Sequence, residues 1–352
     1  MSKRINNIFE EKLKFNKMLE AYKRAAKGKK ENKEVILFEM DLANNTIQIL
    51  KEIYENKYIV GEYRKFIIYE PKKRDIWSLP FKDRVMHQWY VEEFIKPIFL
   101  SKFIEDSYAC LEGKGVHKAI KKLQVYMNKM YKQNKEFYIL KCDVSKFFYS
   151  IDKDILFCII KRKIKDKRFL DFTQTIIYQK TNKQKGIPIG NYTSQYFANI
   201  YLNELDHYIK EKLKVKYYIR YMDDFCLLLN SKQECKEVKN KIETFLDIKL
   251  KLKLNSKTNY FKNKQGVNFC GFKIYRNKIL LLKQNKKKTY KKVKMWNKKF
   301  LKKKLDLKQA NASLQSWIGH ASHSSNLGLI QNVCKKCEWL YNEKYLLERG
   351  QI

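Results

Sequence analysis

Tyr221-Met222-Asp223-Asp224 sits between two runs of β-favouring residues. Lys216-Tyr217-Tyr218-Ile219-Arg220-Tyr221 leads in and Phe225-Cys226-Leu227-Leu228-Leu229 leads out. Two apolar runs pinched at a pair of acids predict a tight β-hairpin with carboxylates at its tip. Adjacent carboxylates repel each other when desolvated, so they belong either in open water or beside a cation. A third acid favours the cation. Asp143 ends another apolar run, Tyr138-Ile139-Leu140-Lys141-Cys142. Strand-end carboxylates from two segments suit a pair of Mg²⁺ ions, which prefer oxygen ligands and hold substrate phosphates.

Length and composition narrow the class. At 352 residues, 44% hydrophobic and 14% aromatic, the chain can bury a large core in two or three subdomains and is not a disordered tail. Against 37 Asp and Glu stand 76 Lys and Arg, a formal charge of +39. Part of that excess is solvated helix face. A surplus this large still makes a polyanion the expected partner, nucleic acid ahead of membrane. No run of 18 apolar residues suits a membrane span, and the N-terminus lacks a signal-peptide pattern. The eight Cys are scattered, mostly in apolar runs, and read as reduced core thiols of a cytoplasmic protein.

Outward from the hairpin, the other parts fall in order. Residues 1–57 form a basic helical extension, read first as a packing collar and second as an RNA or partner contact. Phe66 to Tyr69 is a strand ended by Pro71, and Pro71-Lys72-Lys73-Arg74-Asp75-Ile76 is a basic turn fit to clamp phosphate, with Arg74 able to bind bidentately. A helix opens at Asp83-Arg84-Val85 and closes at Pro97, and a second runs from Val116 to Tyr131. After Asp143, Asp152 is the expected N-cap of a helix over Ile155 to Ile164. Phe147 reads as core; for Phe148, core packing and contact with a substrate sugar are evenly matched. Gly186-Ile187-Pro188-Ile189-Gly190 precedes a helix from about Thr193, a turn that allows close backbone approach and leaves helix N–H groups free. A basic helix reaches Leu246, and Val267 to Ile274 is a hairpin candidate in which Gly271 suits a sharp turn or a close passage of another backbone. Beyond residue 286 the chain is helical, with Lys286-Lys287-Lys288 and Lys302-Lys303-Lys304 flanking Trp296 and Phe300, as suits a segment along a duplex backbone. His320, His323, Cys334 and Cys337 invite a zinc reading, but Cys334 and Cys337 stand at helical spacing without a knuckle of turn residues, which argues against it.

Taken together, the basic clamp, Asp143-Val144-Ser145-Lys146-Phe147-Phe148, the Gly-rich turn, the Tyr-Met-Asp-Asp box and the Gly hairpin resemble the fingers, palm and thumb of reverse transcriptases over roughly residues 58 to 330. The resemblance implies an α+β right-hand polymerase fold. Fingers and palm would occupy 58–285, with the palm, an antiparallel sheet backed by helices, mainly in 136–155 and 186–285; a helical thumb would fill 286–352. Most such enzymes carry a Gln before the Gly of the Gly-rich motif and a Ser-Pro after it. Here Ile189 replaces that Gln and Gln195 replaces the Pro. Ile189-Gly190-Asn191-Tyr192-Thr193-Ser194-Gln195, running into Phe197-Ala198-Asn199, is similar to the reverse transcriptases of diversity-generating retroelements. That group implies template RNA, a cDNA/RNA duplex, deoxynucleoside triphosphates, misincorporation opposite adenine and a small basic accessory protein.

The same resemblance assigns roles. Asp143 and Asp223 would bind two Mg²⁺ ions, with the carbonyl of Val144 as a ligand and Asp224 in support. Lys73 and Arg74 would neutralise the triphosphate, and Lys257 would protonate pyrophosphate. Phe148 stands at the steric gate against a ribose 2′-hydroxyl. Ile189, Gly190 and Gln195 would line the nascent pair. Phe269, Cys270, Gly271 and Phe272 would position the primer end. Rival readings are an inactive RNA-binding scaffold, a reverse transcriptase of phage defence or retron type, and an RNA-dependent RNA polymerase, which Phe148 disfavours.

Overall fold

The structure is a computed structural model and describes residues 4–69, 73–179 and 184–341. It opens with four helices, α1 (Phe9–Lys12), α2 (Phe15–Ala26), α3 (Lys33–Met40) and α4 (Leu42–Tyr54). Met18, Ala21 and Tyr22 of α2 and Val35 and Phe38 of α3 recur at helical spacing and are buried. Tyr22 and Phe38 meet Phe81 edge-on, so this extension shares a core with the helix that follows the first strands. Its outer face leaves Ile36, Leu37 and Met40 exposed.

Strands β1 (Arg64–Ile68) and β2 (Arg74–Ser78) form an antiparallel pair in which Ile68 faces Arg74. Thus Arg74, expected on a turn, begins a strand: its neighbours Ile76 and Trp77 favour extended backbone and pair with Phe66 and Lys65. Pro71 and Lys72 lie outside the described residues. Helix α5 (Phe81–Tyr90) follows, then a wide π-turn over Val91–Ile95 and α6 (Lys96–Phe99). The expectation that Pro97 closes this helix is corrected here. The π-turn resets the hydrogen-bond register, so Pro97 falls in the first turn of α6, where its missing N–H leaves no bond unmade.

After α7 (Val116–Gln133) comes the central sheet. Strand β3 (Tyr138–Asp143) leads into α8 (Phe147–Ser150), α9 (Lys153–Lys161), α10 (Lys167–Tyr178) and α11 (Tyr192–His207). Asp152 caps α9 by accepting from the N–H groups of Asp154 and Ile155, as its position predicted. Strands β4 (Tyr218–Tyr221) and β5 (Asp224–Leu229) form the acidic hairpin; α12 (Lys232–Leu250) and β6 (Asn259–Lys262) complete the unit. The strand order is β4-β5-β3-β6, all pairs antiparallel.

This sheet is buried on both faces, which explains its near-continuous apolar runs. Leu140, Cys142, Phe225 and Leu227 point into a core shared with α9 to α12, whereas Ile139, Ile219, Cys226 and Leu228 point towards α7 and a second, three-stranded sheet. That sheet holds β7 (Val267–Phe269), β8 (Phe272–Ile274) and β9 (Ile279–Leu281). Cys270 and Gly271 both take positive φ, 49° and 86°, as a two-residue hairpin loop requires. Strand β9 has too few residues for its alternation to stand out in the sequence.

Helices α13 (Lys283–Leu301), α14 (Leu307–Ala321) and α15 (Leu327–Lys335), with a closing 3-10 turn over Glu338–Tyr341, end the described chain around their own small core. Trp296 meets Trp339 edge-on at 5.3 Å there, and the Cys337 thiol donates to the Val333 carbonyl. His320 and His323 turn the other way: His323 stacks at 3.4 Å on His117 of α7, and His320 lies 4.6 Å from the Phe272 ring. The four residues of the zinc reading are therefore divided between two environments. All eight cysteines carry free thiols, and among the described residues no helix is long and apolar enough to cross a membrane.

Candidate active site

The acidic hairpin is built by a buried charge pair beneath it. Arg220 points to the inner face of β4, where it is fully buried with Asp206 of α11. Its Nε donates to Asp206 Oδ1 at 2.7 Å and its Nη2 to Oδ2 at 2.5 Å, a bidentate pair. Tyr218 donates its hydroxyl proton to Asp206 Oδ1, and Arg220 Nη1 donates to Asn199 Oδ1. The same Nη1 donates to the Met222 carbonyl at 3.1 Å. Met222 takes a left-handed φ of 58°, so a non-glycine residue holds an uncommon turn with a guanidinium beneath it. The signal for this network in the sequence is Arg220 itself, a charged residue inside an apolar strand.

Above that base the carboxylates converge. Asp143 and Asp224 are directly opposite in the β3–β5 register. Asp223 sits at the turn, and its carbonyl accepts from the Val144 N–H at 3.2 Å, which ties the hairpin tip to the end of β3. Partial burial and the charge of Asp143 raise the pKa of Asp223, while Lys141 and Arg74 oppose that rise. The charge of Arg74 thus reaches the acidic cluster from the β1–β2 hairpin. Lys73 is exposed beside it.

Asn255, in the loop before β6, orients Asp143 through two hydrogen bonds. Asn255 Nδ2 donates to Asp143 Oδ2 at 3.0 Å, and the Asn255 N–H donates to the Asp143 carbonyl at 2.7 Å. The sequence does not single out Asn255, because a polar residue in a loop carries no periodic signal. Buried Val144 pairs with Leu254 in an antiparallel bridge. A cavity of about 480 Å³ opens at this end of the sheet, lined by Lys141, Asp143, Asp224, Lys257, Asn268 and Lys273 among others. Lys257 is therefore brought to the acids. The β7–β8 loop adjoins them too, since Lys141 lies 5.1 Å from the Phe269 ring centre, with Phe269 and Phe272 buried at their backs.

Phe147 is core, whereas Phe148 is half-buried and packs edge-on against Phe147 at 5.5 Å. The Phe148 carbonyl accepts from the Ile187 N–H, which fixes the Gly-rich turn to the segment after Asp143. Gly190 has a φ of 125°, and a Cβ there would lie 2.8 Å from the Trp77 carbonyl oxygen. The close approach that Gly190 permits in this structure is that of β2. The Ile189 carbonyl accepts from the Trp77 N–H at 2.9 Å and completes the junction. The Asn191 side chain donates to the Tyr63 hydroxyl and makes no cap on α11, so the first N–H groups of that helix are left without a side-chain cap. Gln195 stands apart from the acids, in a separate cavity of about 200 Å³ with Arg84, His87, Gln88 and Gly190.

Asp143 and Asp223, two oxygen-donor side chains close enough to raise a pKa by repulsion, fit a hard divalent cation. Among the described residues no three His, Cys, Asp or Glu side chains enclose a metal position. The third carboxylate, Asp224, is ion-paired with Lys141.

Residues 70–274 match the family described as reverse transcriptase (RNA-dependent DNA polymerase). The COX1/OXI3 intron 2 protein of Saccharomyces cerevisiae is 25% identical, over 39% of this chain and 24% of that protein. Protein YkfC of Escherichia coli is 24% identical, over 64% of this chain and 71% of that one. Among solved structures, the apo telomerase of Candida tropicalis truncated from its C-terminal domain gives a TM-score of 0.48 at 15% identity, covering 63% of this chain and 55% of that one. The chain spans about a quarter of the first curated relative and just over half of that telomerase chain.

Proposed function

The chain belongs to the reverse transcriptase (RNA-dependent DNA polymerase) family, and from that premise we propose that it is the RNA-directed DNA polymerase of a diversity-generating retroelement, copying a template RNA into adenine-mutagenised cDNA. The family membership carries the α+β right-hand polymerase fold and the polymerase activity. The retroelement rests on Ile189 and Gln195 in the Gly-rich motif. The observation that carries the polymerase reading is the convergence of Asp143, Asp223 and Asp224 at one end of β3 and β5, beside a lysine-lined cavity.

In this reading Asp143 and Asp223 hold two Mg²⁺ ions, aided by the Val144 carbonyl and Asp224. When bound, the ions supply Lewis-acid activation of the primer 3′-hydroxyl and charge neutralisation at the triphosphate. Asn255 fixes the Asp143 carboxylate, and Arg220 fixes the turn that carries Asp223. Lys73 and Arg74 approach from the β1–β2 hairpin and neutralise the triphosphate. Lys257, exposed on the cavity wall, donates a proton to departing pyrophosphate. Phe148 excludes the 2′-hydroxyl, and Phe269, Cys270, Gly271 and Phe272 seat the primer end. Template RNA, the cDNA/RNA duplex, deoxynucleotides and a small basic accessory protein are the partners of this reading.

The test is primer extension on a defined RNA template with Mg²⁺, with every product base sequenced. DNA with substitutions concentrated at template adenines supports the whole proposal. Accurate DNA moves the chain to a phage-defence or retron-like role. No DNA, even with cognate RNA and accessory protein, leaves an RNA-binding scaffold.

Ile189 gives infidelity a physical route. A Gln there can hydrogen-bond an incoming nucleotide, whereas Ile only packs, so the site loses a contact that discriminates right from wrong pairs. Ile189→Gln is expected to lower misincorporation opposite adenine roughly tenfold, the scale of one lost polar contact. Because Ile189 meets β2 through its backbone carbonyl, the exchange leaves that hydrogen bond in place. An unchanged error spectrum rejects this account of mutagenesis.

A further inference from the structure

Lys141 precedes Asp143 by two residues in β3, and strand alternation brings both to the same face of the sheet. In register Lys141 faces Cys226, so Asp224 is its diagonal neighbour, within reach of a long side chain. The Lys141 ammonium is ion-paired with Asp224 Oδ1, their side chains 19% and 30% exposed. It also lies over the Phe269 ring, a cation–π contact with the β7–β8 hairpin. Among the described residues neither the ammonium nor Asp224 Oδ1 has a hydrogen-bond partner beyond this pair.

We propose that Lys141 is a positioning residue that occupies Asp224 in the unloaded cleft, so that a divalent cation enters by displacing the ammonium and frees it to hold the anionic primer backbone beside Phe269. The proposal rests on the polymerase reading above. An ammonium and a hard dication compete for the same carboxylate oxygen, and both satisfy it electrostatically. With the ammonium in place, the unloaded cleft avoids three mutually repelling carboxylates. Once displaced, the Lys141 side chain remains in a cavity shared with Lys257 and Lys273, where the ligand of matching charge is a phosphodiester. One side chain thus couples arrival of the cation to grip on the primer.

Full-length, metal-free protein is titrated with Mn²⁺, with free ion read by electron paramagnetic resonance, for the wild type, Lys141→Met and Lys141→Arg. The Met variant is expected to bind Mn²⁺ roughly tenfold more tightly, because a competing charge is gone, and the Arg variant to stay near wild type. A second readout is affinity for an RNA–DNA primer–template. Mn²⁺ is expected to strengthen it in the wild type and to do so roughly fivefold less in Lys141→Met, the effect of one lost phosphate contact. Lys141→Gln, neutral and polar, replaces the Met variant if that one melts differently. Unchanged or weaker Mn²⁺ binding in a folded neutral variant overturns the proposal. Wild-type primer extension reports on the polymerase reading independently, so the two failures are distinguishable.

Discussion

Asp223→Asn is expected to reduce nucleotide incorporation by at least about a thousandfold, the rate equivalent of some 4 kcal/mol of lost transition-state charge stabilisation. The exchange keeps the shape of the side chain and removes its charge. The backbone that carries it is held elsewhere, by Arg220 on the Met222 carbonyl and by the Val144 N–H on the Asp223 carbonyl, so the turn survives. Stability should not fall. In the folded chain, burial and Asp143 raise the Asp223 pKa, which means that folding disfavours its charged form. The sign follows from linkage: stability from this group is present below its unfolded pKa and is lost as pH rises through the folded one. At neutral pH the neutral amide removes that penalty, and the melting temperature is expected to match or exceed wild type. Binding of a primer–template in EDTA should remain within about threefold, since affinity comes from many phosphate contacts. Retained synthesis in this variant would sink the assignment of Asp223 as a metal ligand. A lowered melting temperature would show that its charge stabilises the turn.

The parts legible in the sequence are those where one residue type has one physical use. The runs either side of Met222-Asp223 are too apolar for a surface and too short for a helix, so the hairpin was readable. Asp152 before an apolar helix had only capping to do, and it caps. Cys270-Gly271 between two short apolar runs suited a sharp turn, and they form one. The unread parts depend on what meets what across the chain. Pro97 reads as a stop unless the preceding turn is known to be π. Gly190 reads as a place for a ligand, and nothing local shows that β2 passes over it. Lys141 reads as one lysine among many until the β3–β5 register puts it diagonal to Asp224. The site follows the same division: its acids were legible because carboxylates at two strand ends are unusual, whereas Asn255 and Arg220 act through partners distant in sequence.

Arg220 supplies the second large effect. Asp206→Asn leaves a fully buried guanidinium without its counter-charge, and breaking such a pair by removing one partner is expected to cost about 3–5 kcal/mol of stability. Urea denaturation would show this as a lowered midpoint with an unchanged slope. Stability loss alone does not separate a structural pair from one that also aims the catalytic turn, so a second variant is needed. Arg220→Met combined with Asp206→Leu and Tyr218→Phe removes both charges and the hydroxyl that Asp206 accepts from. Apolar replacement of a complete buried pair is often neutral, so this triple variant is expected to regain about half or more of the lost stability. The Met222 carbonyl, however, still lacks its donor, and the left-handed Met222 turn loses the group that holds it. Incorporation by the refolded triple variant should therefore stay well below wild type, by roughly a hundredfold if Asp223 drifts by an ångström. Full activity in a stable triple variant would mean that the pair supports the palm and leaves the aim of Asp223 to the Val144 contact.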